Sequence, residues 1–180
     1  MKKRFLNFIE KWASWKNILI LFVLQMLFNL VIMPSASSSD THDLPILDLQ
    51  FFYTPQQAYA IIGAYTPELR QAAAISRLSL DVIYPLIYGL MLTFLLVVTL
   101  QRAFRGTSLK DQLLFLPWGG VLFDYLENIG LATMLLSYPK KFVLLAWFTA
   151  GFTSLKWILI VLSFLLVLIG AVKLAFRKRE

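Results

Sequence analysis

A chain of 180 residues with 59% hydrophobic and only 15% charged side chains, and a mean hydropathy of +0.71, is too apolar for a soluble domain, in which about a quarter of residues are charged. The absence of cysteine excludes a disulfide framework, a redox dithiol and any thiolate metal site. The net charge of +7 does not point to nucleic acid, because the basic residues sit beside apolar runs rather than on one solvated face.

The N-terminal segment, residues 1–16, places Phe5, Phe8, Trp12 and Trp15 at helical spacing opposite Lys3, Asn7, Lys11 and Ser14. That pattern predicts an amphipathic helix lying in the membrane interface on the cytoplasmic side. A single membrane domain, 17–176, follows, and a basic cytoplasmic tail, 177–180, closes the chain.

Four apolar runs of near-spanning length predict helices over about 18–33, 78–100, 113–136 and 155–176. The expected fold is therefore all-α: a four-helix transmembrane bundle with short external interfacial helices. The first run, about 16 residues long, is short for a span. With the basic start Met1-Lys2-Lys3-Arg4 and the small residues Ser35-Ala36-Ser37 after it, it also reads as a signal peptide.

The external segment, 34–76, begins with a polar linker, Pro34 to Asp43, that contains the single histidine, His42. Two helix starts of matching chemistry follow, Thr54-Pro55-Gln56-Gln57 and Thr66-Pro67-Glu68-Leu69, each with a Thr N-cap and Pro at the first helical position. The first predicts a short helix from Pro55 to Ile62 that stops at Gly63, and the second a helix running unbroken into the second span. A further apolar segment, Lys141 to Ala150, predicts either another interfacial helix or an extension of its neighbour.

With the N-terminus inside, 12 of the 17 Lys and Arg residues fall on the cytoplasmic side, and Arg70, Arg77, Lys140, Lys141 and Lys156 fall outside. By the positive-inside rule both termini are cytoplasmic, in a cell membrane that is expected to be a bacterial inner membrane.

Ionisable groups within a span cost about 2.5–3.5 kcal/mol each on insertion scales, so they face a bundle interior or a polar cavity. On the second span Arg77, Asp81, Tyr84 and Tyr88 stack on one helical face. On the third, Gly120, Asp124, Glu127 and Asn128 share a face one turn after Pro117. From helical rise, Glu127 lies roughly 15 Å deep, Asp124 roughly 20 Å and Asp81 roughly 9 Å. The expected site is an outward-opening acidic pocket with Arg77 and Lys156 at its rim, the Tyr84 and Tyr88 hydroxyls as donors, and Gln25 and Asn29 closing a side. Pro85 and Pro117 are expected to kink their helices there, and Gly119 and Gly120 to allow close approach of a helix or ligand. Equally, Arg77 can pair with Asp81 four residues on, and the acids can serve only to fix helix packing. Asp124-x-x-Glu127-Asn128 offers hard oxygen ligands, yet no metal motif of defined spacing is present, and neither metal nor cofactor is expected. His42 reads as a solvated loop residue.

The stretches Asp81-Val82-Ile83-Tyr84-Pro85 and Asp124-Tyr125-Leu126-Glu127-Asn128 resemble a pattern in small four-span bacterial integral membrane proteins of no assigned activity. The layout is also similar to the vitamin K epoxide reductase type of bundle, whose cysteines have no counterpart here, and the intramembrane acids to emopamil-binding-type isomerases, whose histidine is likewise missing.

Three functions are compatible with these residues. The pocket binds a lipid or other amphipathic small molecule through Arg77, Asp81, Tyr84, Tyr88, Asp124, Glu127, Asn128 and Lys156, with desolvated Asp124 or Glu127 as candidate acid or base should it be an enzyme. Alternatively the chain is an accessory or scaffold subunit, with a membrane-protein partner or a second copy, and the polar stripe is internal glue. As an oligomer it could instead carry protons or ions. Against the last stands the inner half of the second span, Leu90 to Leu100, whose only polar side chains are Thr93 and Thr99.

Overall fold

The computed structural model describes residues 2–32, 47–101, 103–104 and 109–177. The Pro34–Asp43 linker with His42, the cleavage-like Ser35-Ala36-Ser37, and Arg102, Arg105, Lys178 and Arg179 lie outside the described residues. Within them the fold is helical, 89% helix with no strand.

Helix α1, Lys2–Trp12, ends where Asn17 Nδ2 donates to the Trp12 carbonyl, 2.7 Å. Ser14 then caps α2, Trp15–Leu27, by accepting from the Asn17 amide, and α2 continues as a π-helical turn, Phe28–Ile32. The aromatic face of the N-terminal segment is exposed at Phe8, Trp12 and Trp15. A second stripe, Leu6, Ile9 and Ala13, is buried and packs on Met91, Phe94, Val98 and Leu114, so α1 is docked into the bundle end.

A single 3-10 turn, Leu47–Leu49, leads to α3, Pro55–Ala64. Thr54 and Gln57 form the full capping box that their spacing predicts: Thr54 Oγ1 accepts from the Gln57 amide and Gln57 Oε1 from the Thr54 amide. Helix α4, Pro67–Leu96, is capped by Thr66 and runs without interruption through Pro85 into a second π-helical turn, Val97–Gln101. A short α5, Leu109–Leu113, precedes α6, Leu116–Ser137. Helix α7, Val143–Arg177, is the last of the described elements.

Among the described residues, three helices are long and apolar enough to cross a membrane: Trp15–Ile32, Pro67–Leu100 and Val143–Phe176. At about 1.5 Å per residue, both α4 and α7 are longer than the roughly 30 Å hydrocarbon thickness of a bilayer. The apolar stretch after Lys141 is part of α7, whose first turns it forms, rather than a separate helix; Gly151 does not break it. Helix α6 has spanning length, 22 residues, but Asp124, Glu127 and Asn128 dilute its apolar character.

Those polar groups explain its place. Helix α6 packs between α4 and α7, and its buried residues run from Pro117 to Leu135. The outer surfaces of α2 and α7 are by contrast studded with exposed Leu, Ile, Val and Phe, the surface lipid would solvate. Glycines set the crossings. A Cβ on Gly89 would meet Val121, one on Gly130 would collide with Thr149, and one on Gly170 would come within 2.7 Å of the Leu100 amide nitrogen. Gly119 and Gly120 are filled by Leu159 and Ile160 of α7, which makes them helix contacts.

Pro117 differs from its expected role. Because α6 starts at Leu116, Pro117 occupies the first turn, where its missing N–H has no helical partner to lose, and it starts a helix instead of kinking one. Pro85 is buried inside α4, and beside it the Tyr125 hydroxyl of α6 donates to the Val82 carbonyl at 2.8 Å.

Candidate functional site

Two apolar layers enclose a polar one. At the α3 end Leu47, Tyr53, Tyr59, Ile62, Leu131 and Met134 pack together, and at the α1 end Ile9, Phe94, Leu96, Val98 and Leu114 do so. Between them the polar faces of α4 and α6 meet.

Asp124 is the hub. One carboxylate oxygen, Oδ2, accepts from the Tyr88 hydroxyl at 2.9 Å, and Oδ1 accepts from Asn128 Nδ2 at 3.0 Å. Asn128 turns its carbonyl oxygen to Arg77 Nη1 at 3.2 Å, so donors and acceptors alternate from α4 through α6. From α7, Lys156 Nζ lies 2.6 Å from Glu127 Oε2 and 3.9 Å from Asp124 Oδ1. Glu127 is fully buried, and its Oε1 has no hydrogen-bond partner among the described residues.

Lys156 therefore departs from its expected place at the rim. It is 5% exposed, with its ammonium among the acids, because the two carboxylates of α6 provide what an ion needs to leave water. Arg77 also differs from the pairing its spacing suggests. It bridges to Asp48 at 3.4 Å, rather than to Asp81 one turn along its own helix. Asp81 stays half-buried, with no ion pair among the described residues. Tyr84 stands apart from the acids: its hydroxyl accepts from Gln25 Nε2 at 3.5 Å and its ring packs on Phe28, fastening α2 to α4. Asn29, expected to close a side of the pocket, is exposed.

Asp48 is the residue that sequence reasoning passed over. Its signal was an acid inside the apolar run Ile46-Leu47-Asp48-Leu49, in a stretch between the polar linker and the Thr54 cap. The strand of chain 47–53, here termed the strap, crosses from α4 to α7. The Asp48 carboxylate holds Arg77 of α4, while Trp157 Nε1 of α7 donates to the Asp48 carbonyl at 3.1 Å and Ser154 Oγ to the Phe51 carbonyl at 2.8 Å. Tyr53 is wholly buried, its hydroxyl 3.5 Å from Thr153 Oγ1. Burial opposes ionisation of Asp48, but the positive charges of Arg77 and then Lys156 outweigh it and hold the carboxyl below its ordinary range. Burial pushes the Tyr53 phenol upward.

Two cavities adjoin this network. Under the strap, against α7, an apolar groove of about 370 Å³ is lined by Leu49, Phe51, Trp157, Ile158, Val161 and Leu162. Trp157 lines the groove, and Lys156 Nζ of the network lies 5.5 Å from its ring centroid. A second cavity of about 20 Å³, room for roughly one water, touches Arg77, Leu47, Tyr65 and Leu131.

No protein-family model, curated protein or solved structure matches the chain.

Proposed function

We propose that this is a multi-pass membrane protein with four spans, α6 being the one between α4 and α7, and both termini on the cytoplasmic side, that binds a lipid or other amphipathic molecule next to its buried polar network. What supports the reading is the groove beside Trp157. Its apolar walls, on the membrane-facing side of α7, suit one alkyl chain, and the Trp157 indole that lines it lies beside Lys156, whose charge suits a polar head. The expected ligand residues divide under this reading. Arg77, Asp124, Glu127, Asn128, Lys156 and Tyr88 form the polar network, while Tyr84 faces α2 through Gln25 and Asp81 makes no ion pair among the described residues.

The test fills the groove. Val161→Trp, with its larger ring directed at Leu49 and Ile158, is expected to lose lipid that the parent protein retains through purification in mild detergent, read by native mass spectrometry. Equal retention by both proteins contradicts the reading.

A scaffold role is the second reading, favoured by one observation: the cations and acids of the network are already paired with one another. An ion pathway gains less support, because Thr93 and Thr99 donate their hydroxyls to carbonyls of their own helix, Gly89 and Leu95.

A further inference from the structure

We propose that the strap, Leu47–Tyr53, is a lid that opens and closes over the buried network, latched by the Asp48–Arg77 pair. The strap bridges the two helices flanking α6, and therefore crosses the side of the bundle on which Asn128 meets Arg77. Among the described residues its polar anchors are Arg77, Trp157, Ser154 and, through the Tyr53 hydroxyl, Thr153, and its buried side chains are Leu47 and Tyr53. Leu49, Phe51 and Phe52 face outward and are more than half exposed, at 67%, 59% and 51%. A segment with few buried contacts and one turn of 3-10 helix opens at a fraction of the cost of unfolding the helices beneath it.

The closed state also carries a cost that opening relieves. Among the described residues Glu127 Oε1 is buried without a donor, and the ion pairs around it set three carboxylates, Asp48, Asp124 and Glu127, against two cations, Arg77 and Lys156. A lone acceptor in a low-dielectric layer gains a partner when water or a ligand donor reaches it. Lifting the strap breaks the Trp157–Asp48 hydrogen bond, which frees the indole that lines the groove beside Lys156. One movement thus opens the network and joins it to the groove. The lid does not depend on what the groove binds.

The chain has no cysteine, so one introduced thiol reports on one position. Thr153→Cys places it under Tyr53, at a fully buried position, and Thr93→Cys places a control at an equally buried position away from the strap. A membrane-impermeant maleimide reacts with the thiolate, and so only where water arrives. The expected result is slow labelling at 153 in the parent, accelerated roughly tenfold or more by Asp48→Asn, as loss of a charge-assisted hydrogen bond implies, with no change at 93. Should Asp48→Asn not accumulate as folded protein, Trp157→Phe removes the second anchor and is read in the same way. A rate at 153 that does not change with the anchor lost, or a parallel rise at 93, overturns the lid.

Discussion

At the scale of single residues, the buried network behaves as a unit, and the cost of a substitution depends on what it leaves behind. Lys156→Met removes the only described cation in contact with both Asp124 and Glu127 and strands two acids in a dry layer. Breaking a buried pair from one side costs on the order of 3–5 kcal/mol, whereas replacing both partners is often neutral. Lys156→Met is therefore expected to lower thermal stability in detergent sharply, and Lys156→Met with Glu127→Met to recover most of the loss. Two additive losses would show that the pair is not coupled. Asp48 makes a different prediction, tied to pH. Its carboxyl sits below its ordinary range in the folded protein, so its stabilising contribution is complete at neutral pH and is lost as pH falls through the folded-state value. Asp48→Asn should be less stable than the parent at pH 7, with the two melting curves converging below the ordinary carboxylate range. A gap that is constant across that range would contradict the assignment.

At the scale of elements, the packing of α6 and α7 rests on glycines with no room for a methyl group. Gly130→Ala would drive its Cβ into Thr149, and Gly170→Ala into the backbone of Thr99 and Leu100. Overpacking of this kind costs about 1–3 kcal/mol. The two sites differ in whether the neighbour can give way: Thr149→Ala should rescue Gly130→Ala, while Gly170→Ala meets main chain and no side-chain change should rescue it. Differential scanning fluorimetry of the single and double variants separates the two cases.

The helices themselves were legible in the sequence because their signals are local. Thr54 and Thr66 caps, each followed by proline, fix where α3 and α4 begin, and Gln57 completes the box that its spacing predicts. The starts of the other helices were less legible. The expected third span opened at Leu113, and only the backbone shows that Leu116 begins α6; of the two readings of the apolar stretch after Lys141, the extension of a neighbouring helix is the one the backbone takes. The site was legible in part for the same reason. Helical spacing brings Asp124 to Asn128 and Tyr88 to the same level as Asp124, but the partner of Arg77 lies 29 positions away in Asp48, and no periodicity links a turn to a helix. Lys156 likewise read as a rim cation, because its burial follows from the acids of a different helix.

At the scale of the whole molecule, the account joins an α1 end, where an amphipathic helix docks through Ile9 and Ala13, to an α3 end closed by the strap, with a charged layer between. Its central claim is that α6, the helix carrying Asp124 and Glu127, crosses the membrane between α4 and α7. That claim fixes sidedness. If α6 crosses, the turn after Ser137 lies on the same side as α3, and α5 lies on the same side as α1. The most direct measurement is side-specific thiol labelling of single cysteines at the exposed positions Lys11, Gln56, Gln112 and Lys140, in intact cells and in inverted vesicles. The account predicts that Gln56→Cys and Lys140→Cys label from the outside and Lys11→Cys and Gln112→Cys from the cytoplasmic side. Labelling of Lys140→Cys from the same side as Gln112→Cys would contradict it.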